Sequence, residues 1–150
     1  IIIVAGTAVD HLIVITGGEP MRQPLTKFCQ KLTEENFKVQ IETNGTLFQD
    51  LSPQIDIVCS PKNNGNGYHQ VRHDLLSKIS AFKFLISAQN QNYQIVPEVG
   101  QSQFNIPVYL QPIDEYDEIK NQNNRKLTIE LAAKHNCRLS LQTHKFWNIR

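Results

Sequence analysis

Apolar and polar positions alternate along this chain in short runs whose period keeps changing. Residues 11–16 (HLIVIT) form an apolar run of strand length. Leu25, Phe28, Cys29 and Leu32 then recur at the i, i+3, i+4, i+7 spacing of one helix face. Residues 37–42 (FKVQIE) alternate as a half-buried strand does, and TNGT turns the chain after them. Further strands are predicted at 55–59 (IDIVC), 82–87 (FKFLIS), 107–111 (PVYLQ) and 138–142 (RLSLQ), with helices at 73–79 and 127–135. Strands and helices mostly alternate, which predicts an α/β fold with a largely parallel sheet. The connections after 37–42 and after 82–87 carry little or no helical pattern.

The polar stretches at 62–70, 87–94 and 114–126 are short enough to be loops within one domain, so 1–150 reads as a single unit. Composition changes this picture little. With 150 residues, 40% apolar and 19% charged, the chain resembles an ordinary globular domain. A net charge of +1 gives no basic surface for nucleic acid. The apolar runs are too short to cross a bilayer, and IIIVAG lacks the basic flank of a secretory signal. Cys29, Cys59 and Cys137 are too widely spaced for a zinc or iron–sulfur pattern and read as reduced thiols of a cytoplasmic protein.

Polar groups collect just past the strand ends. They are Thr16, Gly17, Gly18 and Glu19; Glu42, Thr43 and Asn44; Ser60, Pro61 and Lys62; Gln111, Pro112 and Asp114; and Gln142, Thr143 and His144. In a parallel sheet these ends share one edge, where α/β folds bind ligands. The segment ITGGEP is the most specific. Two glycines leave main chain open to close approach, Pro20 pushes Glu19 toward an extended conformation, and the Glu19 carboxylate suits an ammonium group.

ITGGEP resembles the glycine-rich motif of radical S-adenosylmethionine enzymes. Together with IETNGT (41–46), CSPK (59–62), LQPI (110–113) and the C-terminal RLSLQTHK, it resembles the 7-carboxy-7-deazaguanine synthase family from about His11 onward. The resemblance implies a partial (β/α) TIM-like barrel of the radical S-adenosylmethionine type. It implies a carbon–nitrogen lyase that contracts 6-carboxy-5,6,7,8-tetrahydropterin to 7-carboxy-7-deazaguanine in queuosine biosynthesis. The implied cofactors are S-adenosylmethionine, a 4Fe-4S cluster and Mg²⁺; the implied partners are an electron donor such as flavodoxin and a second copy in a homodimer. Carried over by position, Thr16 contacts the pterin. Gly17, Gly18, Glu19, Ser60, Pro61, Lys62, Gln111, Pro112, Ile113 and Asp114 hold S-adenosylmethionine. Glu42, Gln142 and His144 match the pattern without an assigned role.

The chain departs from the family in lacking the three-cysteine loop that holds the cluster and the neighbouring Mg²⁺-binding threonine. With Ile1 rather than Met as the first residue, the chain reads as the C-terminal two-thirds of the enzyme, without its first strand and cluster loop and with an open sheet edge beside 11–16. The alternatives are a module that binds S-adenosylmethionine or a pterin without chemistry, and another radical enzyme such as an activase.

Overall fold

The computed structural model describes residues 2–5, as backbone, and residues 11–143. Seven strands form one sheet: β1 (Ile2–Ala5), β2 (Leu12–Thr16), β3 (Lys38–Thr43), β4 (Asp56–Cys59), β5 (Ala81–Ile86), β6 (Val108–Pro112) and β7 (Arg138–Leu139). Their spatial order is their chain order, and β2 to β7 are all parallel. A parallel sheet that never reverses its order sends every right-handed crossover to the same face. The sheet therefore curls with its connections outside, as an arc of a (β/α) barrel.

The outer face carries the core. Ile13, Ile15, Val39, Ile41, Ile57, Cys59, Phe82, Phe84, Ile86 and Leu110 are all buried there, two residues apart within each strand. Phe82 and Phe84 stack with centroids 5.7 Å apart. Helix α1 (Thr26–Glu34) covers this face with Leu32 and Cys29, and Leu25 packs just before it. Phe28, placed on the buried face by its spacing, is exposed. Short helices α2 (His73–Leu76) and α3 (Gln101–Phe104) follow β4 and β5.

The longest helix, α4 (Glu118–His135), begins nine residues before its predicted start. Asp117 caps it by accepting from the Lys120 amide at 3.0 Å. Its buried stripe is Asn124, Thr128 and Ala132, spaced at i+4. The predicted last strand shrinks to two residues, Arg138 and Leu139. The edge of β2, expected to be open, is instead covered by β1, which runs antiparallel to it with Ile2 opposite Thr16.

Candidate functional site

The C-terminal ends of β2 to β7 share one edge, so their strand-end residues converge. Thr16, Gly18, Glu42, Thr43, Asn44, Ser60, Lys62, Lys83, Leu85, Gln111 and Gln142 line an open cleft of about 310 Å³. Of the residues expected at a ligand, Thr16, Gly18, Ser60, Lys62 and Gln111 line it directly. Glu42 and Gln142, without an assigned role in the sequence, line it too. His144 lies outside the described residues.

The glycine segment folds as the strand end requires. Gly17 and Gly18 have φ of 96° and 53°, the left-handed region that glycine enters without strain. A Cβ at Gly18 would meet nothing within 4 Å, so the main chain there faces open cleft. Glu19 is extended (φ −120°, ψ 104°), as a residue before proline should be, and caps the 3₁₀ turn Pro20–Arg22.

The Glu19 carboxylate is held by three donors. Its Oε1 accepts from the Met21 amide at 3.1 Å and the Thr43 hydroxyl at 2.8 Å, and its Oε2 from the Asn44 amide at 2.7 Å. A carboxylate offers about four acceptor positions. These contacts fix its orientation at the cleft rim and leave room for one further donor. The partners come from TNGT. Thr43 is buried, its hydroxyl also accepts from the Gly45 amide at 3.1 Å, and Asn44 closes an Asx turn onto Thr46. Gly45 has φ 81°, and a Cβ there would lie 2.7 Å from Cys59 Sγ.

The wall after β4 continues the ladder through the Ser60 amide, which donates to Thr43 O at 2.7 Å. Ser60 and Pro61 are buried. Lys62 is solvent-accessible by area, yet the concave mouth shields its ammonium, and that desolvation, then the Lys83 cation, pushes its pKa below the usual lysine value against the pull of Glu42. Beyond it, 62–69 is a small hairpin, with Asn63 bridged to Tyr68 and the His69 amide donating to Lys62 O. Cys59 is no ligand to the cleft. Burial, then the Glu19 carboxylate, pushes its thiol up to about 12, with Lys62 opposing.

The β6 segment divides. Gln111 faces the cleft, with its Oε1 accepting from Ser140 Oγ at 3.3 Å. Pro112 completes β6 opposite Ile86. Ile113 donates its amide to Ile86 O at 2.8 Å and accepts from Asn124 Nδ2 at 2.8 Å. Asp114 Oδ1 accepts from the Tyr116 amide and from Asn121 Nδ2. Pro112, Ile113 and Asp114 thus stand at the ligand edge outside the cleft lining, tied to neighbouring elements.

The inner face of the sheet adds two residues whose importance sequence reasoning missed or left open. Lys83 Nζ in β5 pairs with Glu42 Oε1 in β3 at 2.6 Å. The signal for Lys83 was a charge at the inward position of an otherwise apolar strand. A second concavity of about 440 Å³ lies below the cleft and shares this pair; Gln40, Asp56, Tyr109 and Arg138 are among its lining. Among the described residues no three His, Cys, Asp or Glu side chains gather as metal ligands. No described helix is long and apolar enough to cross a membrane.

No family model matches the chain. The 7-carboxy-7-deazaguanine synthase of Rickettsia prowazekii is 55% identical over 139 residues, covering 93% of this chain and 59% of that protein. The enzyme of the same name from Rhodospirillum rubrum is 31% identical, covering 94% and 66%. That from Escherichia coli K12 is 32% identical, covering 91% and 60%. The crystal structure of QueE from Escherichia coli superimposes with a TM-score of 0.64 at 27% identity, over 88% of this chain and 56% of that one. The chain spans less than two thirds of the length of each.

Proposed function

Since this chain is a homologue of the 7-carboxy-7-deazaguanine synthases, we propose that the protein carrying it converts 6-carboxy-5,6,7,8-tetrahydropterin to 7-carboxy-7-deazaguanine. The observation that carries this reading is 55% identity to such an enzyme across nearly the whole chain. The cleft supports it, because its walls are the strand ends whose motifs resemble that family.

S-adenosylmethionine fits the edge as built. Glu19, held by Thr43 and Asn44, keeps an acceptor position for the cofactor's ammonium. Gly17 and Gly18 present bare main chain beside it. Ser60, Pro61 and Lys62 bracket the cofactor from β4, and Gln111 to Asp114 from β6. Thr16, at the end of β2, offers its hydroxyl to the pterin. When bound and reduced, the cofactor supplies the radical chemistry that removes hydrogen from the substrate. The residues of this chain orient both molecules and limit water in the cleft.

A 4Fe-4S cluster and Mg²⁺ do not fit the described residues. Cys29 and Cys59 are buried in the outer-face core, Cys137 lies near β7, and no clustered ligand set is present among them. On this reading their ligands lie outside the described residues. The same reading makes the protein a cytoplasmic homodimer served by a flavodoxin-like electron donor. The test is an anaerobic assay of the full-length, cluster-reconstituted protein with S-adenosylmethionine, a reductant and the carboxylated pterin. Formation of 7-carboxy-7-deazaguanine is expected; consumption of S-adenosylmethionine without that product would overturn the reading.

A further inference from the structure

The dipeptide Asn-Gly occurs at Asn44, Asn64 and Asn66. It carries chemistry of its own. The main-chain nitrogen of the following residue can attack the asparagine Cγ, and glycine, with no Cβ, hinders that approach least. The folded chain treats the three copies differently.

Asn44 is locked. The Gly45 amide donates to Thr43 Oγ1 at 3.1 Å, and Asn44 Oδ1 accepts from the Thr46 amide and hydroxyl at 2.9 and 2.7 Å. Gly45 is buried, with Cys59 Sγ and the Val71 methyls crowding its Cα. Asn64 is exposed yet restrained. The Gly65 amide, whose nitrogen is the attacking atom there, donates to Asn63 Oδ1 at 2.8 Å. Asn64 Oδ1 accepts from the Asn66 amide at 3.0 Å.

Asn66 has neither restraint. It and Gly67 are exposed at the tip of the hairpin closed by the Asn63–Tyr68 bridge. Among the described residues, neither the Asn66 side chain nor the Gly67 amide makes a hydrogen bond. A Cβ at Gly67 would meet nothing within 4 Å, so the space for ring closure is open. The base of the hairpin is pinned. Asn63 Nδ2 donates to Asn92 O at 3.1 Å, and Tyr68 packs edge-on against Phe84 and Tyr93.

We propose that Asn66 is a site of spontaneous deamidation, selected by the fold from three copies of one dipeptide. The Gly67 nitrogen gives up its proton to solvent and bonds to Asn66 Cγ. The Cγ–Nδ2 bond breaks, and Nδ2 takes a proton from solvent and leaves as ammonia. Water then opens the cyclic imide at either carbonyl, giving aspartate or isoaspartate. The net change is amide plus water to carboxylic acid plus ammonia, with no oxidation or reduction. Either product adds a carboxylate to the hairpin that leaves the cleft at Lys62.

The test holds the intact protein in warm, mildly alkaline buffer and follows its peptides by mass spectrometry, with fragmentation that separates aspartate from isoaspartate. Asn66 is expected to convert first. Asn64 should lag by about threefold to tenfold, the worth of the hydrogen bond that ties the Gly65 amide, and Asn44 should lag further. In urea the three rates should converge, because each asparagine precedes glycine. Asn63→Ala, with its fold verified by circular dichroism, frees the Gly65 amide and should bring Asn64 within about twofold of Asn66. An Asn66 that stays intact, or an Asn64 or Asn44 that converts as fast in the folded protein, overturns the proposal. The same spread of rates in urea, or an unchanged gap in Asn63→Ala, overturns selection by the fold.

Discussion

The Thr43 hydroxyl donates to the Glu19 carboxylate across 2.8 Å and so joins the end of β3 to the glycine segment after β2. The same oxygen accepts from the Gly45 amide. Thr43→Val removes a donor and an acceptor together inside a buried turn. It is expected to cost about 1–3 kcal/mol in urea denaturation and to weaken S-adenosylmethionine binding, while Thr43→Ser keeps both. Equal cofactor affinity in the valine and serine variants would show that Glu19 needs no support from β3.

Gly45 is required twice over, by its φ of 81° and by the Cys59 sulfur 2.7 Å from where a Cβ would stand. Gly45→Ala is expected to destabilise by about 2–4 kcal/mol, from overpacking and left-handed strain combined. Adding Cys59→Ala removes the nearest obstacle and should recover part of that loss, leaving the backbone strain. Measured against Cys59→Ala alone, a Gly45→Ala cost as large as in wild type would place that cost in the backbone and in Val71, whose methyls lie 3.2 and 3.3 Å from the added Cβ, rather than in the sulfur.

Alkaline stability follows from two buried protons. Cys59 is pushed from 9.0 up to about 12 by burial and then by Glu19. Tyr68 is pushed from 10.0 up to about 12 by burial and then by Tyr93. Both groups release their protons more readily in the unfolded chain. Their share of stability is therefore constant below about pH 9 and falls as pH rises toward 12. Urea midpoints measured between pH 7 and 11 should show this decline, shallower in Cys59→Ala. Tyr68→Phe should also flatten it. At neutral pH that variant is expected to be neutral or slightly stabilising, because the buried Tyr68 hydroxyl has no hydrogen-bond partner among the described residues.

Asn124 is fully buried and ties two loops together. Its Oδ1 accepts from the Ala88 amide at 2.7 Å, and its Nδ2 donates to Ile113 O at 2.8 Å. Asn124→Leu leaves both loop groups without their partner and is expected to cost about 2–4 kcal/mol. Hydrogen exchange at the Ala88 amide should accelerate more than exchange in β3; uniform acceleration would mean the staple acts only on global stability.

The strands were legible because each combines a short apolar run with a polar stop. The alternation of 37–42 and the run of 82–87 placed β3 and β5 within a residue or two. Helix α4 was seen only from Leu127, because its first half is polar and its buried residues are Asn124 and Thr128 rather than large apolar ones. The cap Asp117 was the signal that would have moved its start. Antiparallel β1 was missed although its apolar run stops at Gly6. At the site, the strand-end motifs located the edge, but pairing is not written in linear spacing. Nothing in FKFLIS says that Lys83 reaches Glu42 over an intervening strand, and nothing in GGEP says that Thr43 and Asn44 hold Glu19. Those contacts depend on register, which the assembled sheet supplies.

Because β1 runs against its neighbour, its first residue stands beside Thr16 and its last beside Ile13, at the far end of the strand. The chain therefore enters β1 at the cleft end of the sheet and leaves it at the opposite end, the reverse of the direction in which β2 to β7 cross it.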